Sequence, residues 1–187
     1  MGACSTYKAG PPKFRYHLMS ATKSPAKIRP YEPGDLSTLL LMNNAAVPAV
    51  NELTAEELLD LVNQALVCLV AEVDEAPAGL LLCIADGKGY ESPNYLWLCE
   101  RLTSFAYTDR IVVDEHQRGL NIGDRLYAAL FKLLAGSGRS FVCEVNERPP
   151  NPGSLRFHKN LGFEEIGRAN NGDKSVVYLK RAPEPAP

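Results

Sequence analysis

With 187 residues, 45% of them hydrophobic and 22% charged, the chain has the apolar content for one domain with a single sizeable core. A net charge of −2 and a pI near 5.9 supply no basic field for nucleic acid, and no apolar run approaches the roughly 20 residues that cross a bilayer. Cys4, Cys68, Cys83, Cys99 and Cys143 include no C-x-x-C pair and no secretory leader precedes them, so a reducing, cytoplasmic compartment is the simplest expectation; His17, His116 and His158 lack ligand spacing, and no metal site is expected.

The first 27 residues carry Lys8, Lys13, Arg15, Lys23 and Lys27 and no acid, which sets residues 1–25 apart as a disordered basic leader. Its opening, "MGACSTYK", matches M-G-x-x-x-[ST], and Cys4 offers a second acylation site. Three readings stay open: an anchor acylated at Gly2 that brings the chain to a membrane, an organelle transit peptide, or a plain leader.

The folded domain is expected over 26–181. "KIRPY" reads as a short strand and "GDLSTLLLMNNAA" as a helix with Asp35 at its N-cap, stopping before Pro48. In "LTAEELLDLVNQ" the capping-box pair Thr54 and Glu57 opens a helix whose Leu58, Leu61 and Val62 share a face. "ALVCLVAEV" and "GLLLCIADG", joined by "DEAPA", read as buried hairpin strands. After an interlude, "KGYESPNYLWLCERLT", come a strand "SFAYTDRIVV", a helix over 122–135 ended by "GSG", a strand "SFVCEVN", a helix over 153–161, and the strands "GFEEIGR" and "KSVVYLK". This order, with a β-α-β crossover at its centre, predicts an α+β fold on a mixed sheet. The last residues, 182–187, form a Pro-rich tail expected to be a solvated end.

At "IVVDEHQRGLNIGD" an apolar strand breaks into a Gly-containing turn that opens a helix, the kind of junction that binds phosphate. A Walker loop needs G-K-[ST], which is absent, and the dinucleotide fingerprint needs glycine where Asn121 and Asp124 stand. Two readings remain: an ordinary strand–turn–helix with a helix-capping Asn, or a loop from Arg118 through Gly119, Leu120, Asn121, Ile122 and Gly123 to Asp124, whose backbone N–H groups converge on an anion. These residues resemble motif A of the GNAT superfamily of N-acetyltransferases, with Asn121 in place of the pattern's first glycine. Asn is the non-glycine residue that best tolerates positive φ, while Asp124 has to turn its carboxylate away. Downstream, "NPGSLRFHKNLGFEEIG" resembles the family's motif B, with Asn151, Ser154, Phe157, His158, Gly162 and Phe163 at its positions.

The resemblance implies a mostly antiparallel sheet flanked by helices, whose fourth and fifth strands splay and hold the pantetheine arm of acetyl-CoA. Backbone groups of Ile111, Val112 and Val113 would bind the arm, residues 118–124 the pyrophosphate, and Asn151, Ser154, Phe157 and His158 would flank the cosubstrate. The Val113 amide is then the natural donor to the thioester carbonyl. Lys159 either assists a phosphate or is simply solvated.

Amide formation requires loss of the ammonium proton, polarisation of the carbonyl, and a proton for the thiolate. Strand parity puts Tyr107, Asp109, Ile111 and Val113 on one face of the fourth strand, and Glu144 and Asn146 on one face of the fifth. Glu144 is the favoured base, unless an arginine such as Arg110 pairs with it; Asp109 is the reserve. His158 stands where many relatives carry a thiolate-protonating tyrosine, and phosphinothricin-type acetyltransferases resemble this chain in having histidine there; packing on the arm is its other reading. The expected activity is acetyl transfer to a primary amine of a small molecule. A non-catalytic acyl-CoA-binding module and a protein N-terminal acetyltransferase are the alternatives. "NNAAVPAVNE" and the interlude's Tyr90, Tyr95 and Trp97 either shape the acceptor site or cover a core edge. A homodimer is compatible with the sequence.

Overall fold

The computed structural model describes residues 25–187, so the readings of Gly2, Cys4 and the basic leader lie outside the described residues. The elements in chain order are β1 (Lys27–Pro30), α1 (Leu36–Ala45), α2 (Ala55–Gln64), β2 (Val67–Val73), β3 (Ala76–Ala85), α3 (Pro93–Cys99), β4 (Phe105–Val113), α4 (Ile122–Leu133), β5 (Ser140–Arg148), α5 (Pro152–Asn160), β6 (Glu164–Asn171) and β7 (Lys174–Arg181). Among the described residues no helix is long and apolar enough to cross a membrane.

The seven strands form one sheet in the order β1-β2-β3-β4-β5-β7-β6. Every neighbouring pair is antiparallel except β4 and β5, which helix α4 connects as a parallel crossover. The predicted α+β class and mostly antiparallel sheet are therefore observed. The predicted splay is observed too: β4 and β5 pair through Phe105↔Ser140, Ala106↔Phe141 and Tyr107↔Val142, and then part although both strands continue.

The sheet is covered on both faces. Leu81 and Cys83 of β3 and Phe141 and Cys143 of β5 pack with Leu126, Tyr127 and Leu130 of α4. On the other face Leu82, Ile84, Tyr107, Val142 and Tyr178 meet Leu61 of α2 and Tyr95 and Leu98 of α3. Leu80, Leu81 and Leu82 are completely buried, each contributing about 1.5–3 kcal/mol by the usual area scale.

Helix α2 starts as predicted: the Glu57 N–H donates to Thr54 Oγ1 at 3.2 Å and the Thr54 N–H to Glu57 Oε2 at 2.7 Å. Asp35 does precede α1, but its side chain caps nothing in that helix. It accepts two bonds from Arg29, at 2.7 and 2.8 Å, and one from the Glu32 N–H, and the guanidinium holds its carboxyl below the usual range. One further reading needs correcting. The interlude contains a helix, α3, opened by Pro93 at its first position. The Pro-rich tail is exposed except at Glu184, whose carbonyl accepts from the Gly136 N–H at 3.1 Å and whose carboxylate meets Arg181 at 2.6 Å.

One irregularity positions the site. Leu82 pairs with Arg110 and Cys83 with Thr108, so Asp109 is an extra residue bulged out of β4. The bulge reverses the strand's parity: Tyr107 packs with the α2 and α3 side, whereas Ile111 and Val113 pack with the α4 side. The shared face expected for Tyr107, Asp109, Ile111 and Val113 does not exist, because an inserted residue flips every side chain beyond it.

Candidate active site

On the α4 side the end of β4 turns at Asp114, whose Oδ1 accepts from the His116 N–H at 2.9 Å. The chain then passes Arg118 and Gly119 (φ +84°) to Asn121, which has φ 54° and ψ 32° as the N-cap of α4. Asparagine holds the left-handed conformation that the sequence required of it. Ile122, 2% exposed, pins the first turn to the core. The leading N–H groups of α4 have no acceptor within the helix and sit at the positive end of its dipole, an arrangement that suits a phosphate group. Asp124 is exposed at the outer side of that turn. Gly123 is glycine at a close approach: a Cβ there would lie 2.9 Å from Cζ of Phe157, so α4 and α5 come near each other at this point.

Beyond Tyr107 the edge of β4 that faced β5 has no strand partner, which frees backbone groups along Ile111, Val112 and Val113 for an amide-bearing arm. Asn151 is primarily a cap: its Oδ1 accepts from the Ser154 N–H at 3.1 Å and starts α5. Lys159 is exposed.

His158 is 2% exposed. Its Nδ1 lies 2.9 Å from the Ser154 carbonyl oxygen, which can only accept, so Nδ1 carries the proton; Nε2, 2.9 Å from the Tyr127 hydroxyl, then accepts. Burial pushes the imidazole pKa down, consistent with this neutral form. In this arrangement the ring has no N–H left for a thiolate. Tyr127, the partner that sequence reading missed, comes from α4 and is fully buried.

The opposite face of the same opening holds the carboxylates. Because the bulge turns consecutive residues of β4 to one side, Arg110 Nε donates to Asp109 Oδ2 at 2.7 Å, and the Tyr90 hydroxyl donates to Asp109 Oδ1 at 2.6 Å. The pair is buried, with side chains 3% and 5% exposed. Arg110 also donates to Asn43 Oδ1 at 2.8 Å, and Asn43 donates to the Asn51 carbonyl at 3.0 Å, so the pair braces the α1–α2 loop. Arg110, a possible partner for Glu144 on sequence grounds, is committed to Asp109.

Glu144 lies across from it on β5. Its Oε1 accepts from Asn94 Nδ2 at 2.9 Å, while the buried Oε2 has no hydrogen-bond partner among the described residues. Burial pushes this carboxyl up to about 7, the nearby Asp109 charge adds to the shift, and Tyr107 and Asn94 oppose it. A cleft of about 340 Å³ connects the two faces, lined by Tyr90, Asn94 and Glu144 on one side and by Asn151, Ser154 and His158 on the other. Pro48 to Asn51 form a wall of it, held by Asn146 Nδ2 donating to the Pro48 carbonyl at 3.2 Å. The interlude's aromatics divide between the two readings: Tyr90 lines the cleft, while Tyr95 and Trp97 belong to the core.

Residues 39–163 match the family described as "Acetyltransferase (GNAT) family". No curated protein sequence matches the chain. The fold is similar to that of Arabidopsis thaliana NAA60 solved with a bisubstrate analogue (TM-score 0.67, 18% identity, 84% of this chain and 98% of that one). It is similar as well to the ribosomal-protein-S18-alanine N-acetyltransferase of Escherichia coli (TM-score 0.67, 15% identity, 87% and 96%). A third similar structure is yncA of Salmonella typhimurium with its cofactor acetyl-CoA (TM-score 0.64, 16% identity, 85% and 94%).

Proposed function

Because the chain belongs to the GNAT family of acetyltransferases, enzymes that use acetyl-CoA as cosubstrate, we propose that it acetylates a primary amine of a small molecule, with Glu144 taking the ammonium proton. The observation that carries this reading is the Glu144 carboxyl in the cleft, one oxygen held by Asn94 and the other without a partner, poised near neutrality. A carboxylate with a pKa close to the working pH is ionised often enough to accept a proton and basic enough to draw one from an ammonium.

The steps balance. Ionised Glu144 removes one proton from the ammonium; the neutral nitrogen attacks the thioester carbonyl, whose oxygen takes up charge facing the β4 backbone, with the Val113 amide as donor. Collapse breaks the carbon–sulfur bond, and the surplus proton on nitrogen passes to the departing thiolate. This route asks no proton of His158, whose part is to hold α5 against α4 through Tyr127. Asp109, neutralised by Arg110, braces the acceptor wall and is the weaker candidate for the base.

The cleft's volume favours a small acceptor, because the same space must take the thioester end and the amine. The histidine at position 158, shared with phosphinothricin-type enzymes, supports the same class. The test is coenzyme A release over a panel of small primary amines and of peptides with free α-amines. Turnover confined to small amines is the expected result; turnover of peptides alone would replace the small-molecule reading with protein N-terminal acetylation.

A further inference from the structure

Helix α3 lies between strands that a tight turn could have joined, and its side chains converge on one residue of β7. Asn94 and Trp97, three apart and therefore on the same helix face, both engage Tyr178. The Trp97 ring stacks on the Tyr178 ring with centroids 3.9 Å apart and planes 9° from parallel. The Tyr178 hydroxyl donates to Asn94 Oδ1 at 3.0 Å. Tyr178 is in turn the cross-strand partner of Glu144. The sheet leaves room for this clamp: a Cβ on Gly167 of β6 would lie 2.6 Å from the Trp97 ring, and Arg101 covers Trp97 from 4.1 Å.

The polarity of this chain follows from its donors and acceptors. An amide whose oxygen accepts from the Tyr178 hydroxyl must point its NH₂ the other way, at Glu144 Oε1. An NH₂ group can only donate, so it favours the ionised carboxylate and ties down one of its two oxygens. Oε2 is left without a hydrogen bond among the described residues, and the Glu144 side chain lines the cleft. Resting on the reading of Glu144 as base, we propose that Asn94 is a positioning residue of the reaction: together with Tyr178 and Trp97 it selects which Glu144 oxygen meets the amine and holds that carboxylate ready to accept a proton. Around Glu144 the other ionisable groups are Asp109, Arg110 and Tyr107 of β4, Cys143 beside it on β5, Tyr90 ahead of α3, Tyr178 of β7, and Lys174 and His158 in the lining of the cleft. All of them remain when Asn94 is changed.

The experiment compares Asn94→Ala, Tyr178→Phe and Glu144→Gln in the full chain, reading kcat and the acetyl-CoA KM against pH. Loss of a bond to the charged form raises the carboxyl pKa, so Asn94→Ala should move the acid limb of kcat up by about one pH unit. Its plateau should fall about 10-fold, with the acetyl-CoA KM unchanged. Tyr178→Phe keeps the stacked ring and removes only the hydroxyl, so it should move the limb in the same direction by less; it also serves if Asn94→Ala does not fold. Asn94→Ala added to Glu144→Gln should cause no further loss. An unmoved limb in both Asn94→Ala and Tyr178→Phe, with Glu144→Gln inactive, overturns the positioning role and leaves the base intact. An active Glu144→Gln overturns the base, and with it this proposal.

Discussion

Asp109 and Arg110 are consecutive residues whose side chains bond to each other at 2.7 Å, although neighbours in a regular strand point to opposite faces. The β4 bulge makes this contact, and it settles a competition between two carboxylates. The guanidinium that would have paired with Glu144 is spent on Asp109. One carboxylate then serves the architecture, and the other lines the cleft with one buried oxygen that has no hydrogen bond among the described residues.

Arg110→Met should destabilise the fold by about 3–5 kcal/mol, because it strands a buried carboxylate on the single donor Tyr90. Adding Asp109→Asn should recover much of that loss, since the unpaired charge goes with it. Urea denaturation of the wild type, both single variants and the double variant measures the coupling; additive losses would mean that the pair does not act as a unit.

Asp109→Asn alone separates the two candidates for the base. It removes a negative charge that pushes the Glu144 carboxyl up, so the acid limb of kcat should shift to lower pH while activity persists. Complete loss of turnover in a folded Asp109→Asn variant would transfer the base to Asp109.

In the loop proposed to bind the phosphates, Asn121 holds φ 54°, a conformation glycine adopts freely and a β-branched residue does not. Asn121→Gly should leave the acetyl-CoA Kd within about 3-fold. Asn121→Val should weaken it by about 10-fold or more, because the strained residue re-aims the N–H groups that lead into α4. Calorimetry on the two variants checks the loop without touching the Gly123–Phe157 contact.

These expectations divide according to what a sequence can carry. The two cofactor motifs are local, so the strand–turn–helix at Asn121 and the capped helix at Asn151 were legible from residue types and spacing, as was the capping box of α2. The bulge was not, because it is a difference in register between Leu82–Arg110 and Cys83–Thr108 and no residue type in β4 announces it. Parity reasoning failed from Asp109 onward for that reason. Helix α3 spans only seven residues, too few for a periodic signal, although Ser92-Pro93 is a recognisable start. Asn94 to Glu144 and Tyr127 to His158 are contacts between distant segments, and they come into view only with the sheet assembled.

At His158 the hydrogen bonds favour a structural part over the protonation of a thiolate. With Nδ1–H on the Ser154 carbonyl and Nε2 on Tyr127, the ring is a buried neutral link between α5 and α4. His158→Phe should cost about 1–3 kcal/mol of stability through the stranded Tyr127 hydroxyl. Its kcat at saturating acetyl-CoA should fall by much less than the roughly 10²-fold that loss of a general acid entails. A 10²-fold fall in kcat with stability intact would restore the acid role.

The last prediction turns on the sign of the Glu144 shift. Its folded pKa, about 7, lies above the ordinary glutamate value of 4.5 that holds in the unfolded chain, so the folded state binds a proton more tightly. The stability associated with that proton is fully present below about pH 4.5 and is lost as pH rises through about 7, to the extent of roughly 3 kcal/mol at most. Glu144→Gln keeps the shape and the bond to Asn94 but cannot ionise. Its melting temperature should therefore match the wild type near pH 5 and exceed it at pH 8, while its acetyl transfer falls by about 10²-fold. A wild type that does not lose stability relative to Glu144→Gln over this range would mean that the carboxyl is already ionised at acid pH, and the origin assigned to the acid limb would be wrong. A catalytic base kept at such a position makes the protein less stable at the pH where it works than a neutral glutamine would, because burial makes the carboxylate basic and its charge costly at the same time.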